Sequence, residues 1–102
     1  MRLTTAELDA MTAEAIIDAH DEYEQLTAFH SVVEDRLALP FNTVVLGVTV
    51  TVTALRLRPG TGIVALCRRG RYRQAIGLLD LPLPEPAPEG WAWVDAYRHW
   101  AS

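Results

Sequence analysis

Apolar and small residues recur at Leu8, Met11, Ala15, Ala19, Tyr23, Leu26, Phe29, Val33 and Leu37, in steps of three and four that trace one face of a helix. Thr4 and Glu7 stand at capping-box spacing, with Leu3 and Leu8 at the staple positions around them. Pro40 closes the run, since the residue before a proline is biased out of the α region. A straight helix from Thr5 to Leu37 would be about 50 Å long, against a radius of gyration of about 13 Å for a domain of this size. The helical segment 5–38 is therefore expected to break, at Thr12 or across Asp18–Asp21, where Asp21-x-x-Glu24 repeats the capping-box spacing.

From Asn42 the period changes to two. Val48, Val50 and Val52 alternate with Thr49, Thr51 and Thr53, a β-branched strand pattern. Gly47 is expected to mark a bulge or bend between Thr43–Leu46 and this strand. Pro59-Gly60-Thr61-Gly62 is a turn, Ile63–Cys67 a third run, Arg68–Arg71 a hairpin turn around Gly70, and Arg73–Leu81 a fourth run. The segment 42–81 thus reads as a small four-stranded antiparallel sheet or curled barrel. Pro82, Pro84, Pro86 and Pro88 space out an extended connector. Residues 91–100 form a short aromatic helix, with Trp93, Tyr97 and Trp100 on one face. The predicted fold class is α+β in a single domain, 1–102, with an N-terminal helix or broken helix pair, the sheet, and the C-terminal helix.

Composition sharpens this picture in one respect. Half of the 102 residues are hydrophobic, enough for a core without staples. The single cysteine, Cys67, excludes an intramolecular disulfide and cysteine-based metal clusters, and fits a reducing cytoplasm. No apolar stretch suits a signal peptide or a bilayer span, so no membrane association is expected. Charge, however, is segregated. Residues 1–36 hold nine acids against two arginines, a net of −7, whereas residues 37–80 hold six arginines against Asp80, a net of +5. The simplest reading is internal, an acidic helical layer complementing a basic sheet.

Candidate chemistry is sparse. Cys67 lies mid-strand, not at a helix N-terminus beside a base, and no nucleophile elbow or phosphate loop is present, so an enzyme is not expected. His20 with Glu24, and Asp95 with His99, have the four-residue spacing of paired metal ligands, but nothing else gathers around them. Glu14, Asp18, Asp21 and Glu22 fall at helical neighbour spacing, and Glu24 follows Asp21 by three. Such like charges can be neutralised by a bound cation, by Arg68, Arg69 and Arg71 from the sheet, or by water and salt alone, and no EF-hand loop is present. Arg68, Arg69, Arg71 and Arg73, with Tyr72 among them, make a basic hairpin that could hold a protein or nucleic-acid partner. The acidity of the whole chain disfavours nucleic acid.

Three stretches carry a resemblance. They are Asp18-Ala19-His20-Asp21-Glu22-Tyr23-Glu24-Gln25 with Phe29 and Leu39-Pro40-Phe41; Ile63–Gly70 with Ala75–Leu81; and Trp91–Trp100. Together they are similar to the bacterial calcium-binding protein family typified by the cyanobacterial calcium-binding protein CcbP. The resemblance implies a small cytoplasmic, non-enzymatic protein that binds or buffers calcium. On that reading the candidate ligands are Asp18, Asp21, Glu22 and Glu24, with Glu14 flanking and Asp95 joining if its helix docks alongside. The chain departs from a strongly acidic buffer in its modest net charge of −4. The alternative is a metal-free interaction module that uses the Arg68–Arg73 hairpin.

Overall fold

In a computed structural model, which describes residues 3–102, the capping box forms as its spacing requires. The Glu7 N–H donates to Thr4 Oγ1 at 3.1 Å, and the Thr4 N–H donates to Glu7 Oε1 at 3.0 Å. Met1 and Arg2, of which Arg2 entered the charge count, lie outside the described residues. The fold is α+β, with three helices and an open four-stranded antiparallel sheet among the described residues. The chain divides into two compact units, one made of the segment up to Leu37 with Gly90–Ser102, the other of Ala38–Glu89.

The first unit is helical: α1 (Thr5–Ala15), α2 (Glu22–Arg36) and α3 (Trp91–Ala101). The expected break falls at the later of its two candidate places. α1 continues through Thr12 and ends at Ile16, and Asp18 takes a left-handed φ of 66°, a conformation that aspartate tolerates better than most residues. Asp21 then caps α2, its Oδ1 accepting the Glu24 N–H at 2.8 Å. The break re-aims the helical stripe, so Tyr23, which falls on that stripe, is exposed in the first turn of α2.

Phe29, Val33, Leu37, Trp91, Val94 and Tyr97 are buried in this unit. Phe29 meets the Tyr97 ring edge-on at 5.8 Å and the Trp100 ring at 5.3 Å, which adds aromatic pairing to plain burial. Trp100 Nε1 donates to Gln25 Oε1 at 3.0 Å, tying α3 to α2. The guanidinium of Arg36 lies 5.6 Å from the Trp93 ring. Gly90 caps α3 with φ 88°, and a Cβ there would fall on the Arg36 carbonyl oxygen, so no other residue fits.

In the second unit β1 (Phe41–Val45), β2 (Val48–Arg58), β3 (Gly62–Arg69) and β4 (Tyr72–Gly77) pair in sequence order. The sheet is open, so the curled-barrel alternative does not hold. Gly47 marks neither bulge nor bend. Val45 pairs with Val48, which leaves Leu46 and Gly47 as a two-residue hairpin turn. Their φ values of 50° and 78° are both positive, as a type I′ turn demands. The bulge lies instead at Thr53, between the Val52–Cys67 and Ala54–Leu66 pairs. The fourth run is also shorter than expected: β4 stops at Gly77, and Leu78–Asp80 wind into a single 3₁₀ turn that buries Leu78. An unbroken apolar run does not distinguish the two outcomes.

Pairing and alternation sort the strand residues onto two faces. Thr43, Val52, Leu55, Ile63, Ala65 and Cys67 share one face and are buried. The proline connector keeps to this unit. Pro84 is buried, and the Pro82 carbonyl accepts the hydroxyl of Thr43, the one buried polar side chain among the described residues, at 3.1 Å.

Candidate functional site

The six carboxylates considered as calcium ligands do not converge. The break between α1 and α2 removes the common helical face: Glu14 is on α1, Asp18 in the turn, and Glu22 and Glu24 in the first turn of α2. Asp21 is occupied as a helix cap, and Glu24 Oε2 accepts the His20 N–H at 3.3 Å. Among the described residues no group of three or more histidines, cysteines, aspartates or glutamates is placed to hold a metal ion. His99 Nε2 faces Asp9 Oδ1 at 2.7 Å, which links α3 to α1.

Cys67 is buried, and burial pushes its thiol up from its ordinary value. Its S–H donates to the Ala65 carbonyl at 3.7 Å. A buried thiol pushed up in this way is the reverse of an activated nucleophile. No described helix is long and apolar enough to cross a membrane.

The arginines stand differently from the acids. Residues 38–89 carry six arginines against Asp80, Glu85 and Glu89, a net of +3. None of the six enters an ion pair among the described residues. The β3–β4 connection is tighter than expected. Arg69 pairs with Tyr72, only Gly70 and Arg71 form the turn, and Gly70 supplies its positive φ of 57°. Arg68, Arg69 and Arg73 are therefore strand residues with fixed directions, and Arg71 packs its guanidinium 5.7 Å from the Tyr72 ring.

Register divides the four arginines between faces. Arg69 shares the face of Tyr72, Val50, Val48 and Val45, whereas Arg68 lies directly opposite Arg73 on the other face. A shallow cavity of about 510 Å³ is lined by Val45, Leu46, Val48, Val50, Tyr72 and Ile76, with Arg69 and, at its border, Arg68 and Arg73. Leu46 is 98% exposed and Tyr72 70% exposed at its rim. An aliphatic surface of this kind, ringed by unpaired cations, is suited to a partner that carries both apolar and acidic groups. Sequence reading identified the arginine hairpin but missed Leu46. The available signal was the Leu46-Gly47 pair between two strands, read as a bend where a type I′ turn would expose the leucine. No family model, curated protein or solved structure matches the chain.

Proposed function

We propose that this protein is a non-enzymatic interaction module whose sheet receives an acidic, aliphatic segment of a partner protein. The observation that carries the reading is the joint exposure of Leu46 and Tyr72 over a valine-lined cavity beside Arg69, with no acid paired to any sheet arginine among the described residues. A protein segment suits the surface better than a nucleic acid. The lining is aliphatic with one tyrosine, whereas single-stranded nucleic acids are held on aromatic platforms. The chain's net charge of −4 also opposes a long polyanion.

The test is fluorescence anisotropy with a labelled decamer of alternating glutamate and valine, a lysine–valine decamer as control, and a single-stranded oligonucleotide. The expected result is saturable, salt-sensitive binding of the acidic peptide alone, weakened about tenfold or more by Arg69→Gln or by Leu46→Ser with Tyr72→Ser. Equal binding of both peptides, or tighter binding of the oligonucleotide, refutes the assignment.

Calcium binding at the turn between α1 and α2 is the second reading. It is supported by the resemblance to the calcium-binding family and by the exposure of Glu14, Asp18 and Glu22, which have no ion-pair partner among the described residues. Calorimetry with calcium against magnesium at matched ionic strength decides it. Saturable calcium heat that is lost in Asp18→Asn with Glu22→Gln supports it, and no heat at millimolar calcium removes it.

A further inference from the structure

The cross-strand pair Arg68 and Arg73, which borders the aliphatic cavity, carries a feature that a peptide surface does not explain. Arg68 and Arg73 are directly opposed across the β3–β4 ladder, an arrangement of like charges that destabilises a strand pair. Both are exposed, and neither enters an ion pair among the described residues. The Thr53 bulge in β2 lies beside them, its hydroxyl donating to the Leu66 carbonyl at 3.3 Å. Bulges re-aim side chains and open space at sheet surfaces. Here a cavity of about 420 Å³ is lined by Thr53, Leu66, Arg68, Arg73 and a third arginine, Arg58. Three arginines line one cleft with no carboxylate among its lining residues, which makes a place for a compact anion.

We infer that this cleft binds a phosphate dianion, free or as a monoester. Guanidinium forks match the oxygens of a tetrahedral oxyanion and, unlike an ammonium, fix its orientation. A dianion also relieves the Arg68–Arg73 repulsion with one ligand, where a monoanionic carboxylate or phosphodiester relieves only part of it. The cleft and the aliphatic cavity share Cys67, Arg68, Arg73 and Gln74 along their boundary, but Thr53 and Arg58 line only the cleft and Leu46, Arg69 and Tyr72 only the cavity, so variants at those positions separate the two assignments.

The test is a titration followed by amide and arginine Nε–H chemical shifts, with inorganic phosphate, phosphoserine and an oligonucleotide, and with sodium chloride at matched ionic strength. The expected result is saturable shifts at Thr53, Leu66, Arg68 and Arg73 with phosphate or phosphoserine, and the tighter of these two identifies the source. Arg68→Gln and Arg73→Gln should each weaken binding about tenfold, while Arg69→Gln on the opposite face leaves it unchanged. Both cleft variants remove a like-charge contact, so their melting temperatures should not fall, which separates lost binding from lost folding. Shifts that track ionic strength alone, equal loss in Arg69→Gln, or saturable binding of the oligonucleotide but neither phosphate form overturns the inference.

Discussion

Leu46 offers the sharpest test of the physical argument. It holds φ at 50° in the β1–β2 turn and is 98% exposed. A left-handed conformation costs an ordinary L-residue about 1–2 kcal/mol, and asparagine escapes much of this through local hydrogen bonding. Since almost no leucine surface is buried, Leu46→Asn forfeits no packing, and the turn becomes the preferred Asn-Gly type I′ pair. The expected gain is about 1 kcal/mol, which raises the melting temperature of a domain of this size by about 4–8 °C. In urea the midpoint should rise with no change in slope, because the surface exposed on unfolding is the same. Leu46→Gly should gain less, since glycine also loosens the unfolded chain. A Leu46→Asn variant that melts at or below the parent temperature would refute the strain argument. The same variant should lose affinity for the acidic peptide, because backbone strain tends to be retained where an exposed side chain has work to do.

Gly90→Ala should be among the most damaging single changes, costing more than about 2 kcal/mol in urea denaturation, because its Cβ meets the Arg36 backbone and its φ is 88°. Near-parental stability would mean that the α3 cap is not closely packed. Glu7 titrates below the ordinary carboxylate range because the Thr4 backbone N–H, and then its hydroxyl, bond the charged form. Its contribution is therefore complete above the unfolded-state value and is lost as the pH falls through the lower folded-state value. The difference in melting temperature between the parent and Glu7→Gln should accordingly be present at neutral pH and shrink towards pH 3, and a difference that grows on acidification contradicts the capping-box geometry.

Local chemistry explains what could be read early. The Thr4–Glu7 box, the Asp21–Glu24 restart, the valine–threonine alternation of β2 and the aromatic face of α3 are all set by groups within a few residues of each other, so spacing alone reveals them. The arginine hairpin was legible for the same reason.

What required the folded chain was register. Whether Gly47 bends a strand or closes a turn depends on Val45 meeting Val48, and that pairing lies between strands. The same holds for the Thr53 bulge, which no residue in an even Val–Thr repeat announces. A shift of one residue in β3 against β4 would exchange the faces of Arg68 and Arg69. The sequence by itself determined that the chain is α+β, with acids on its helices and arginines on its sheet. The folded chain was needed to see that Asp18, Asp21 and Glu22 do not share a helical face, and that Arg69 borders the aliphatic cavity, Arg58 the neighbouring cleft, and Arg68 and Arg73 both. The reason is that helix breaks and strand pairing, not composition, set where each charged side chain points.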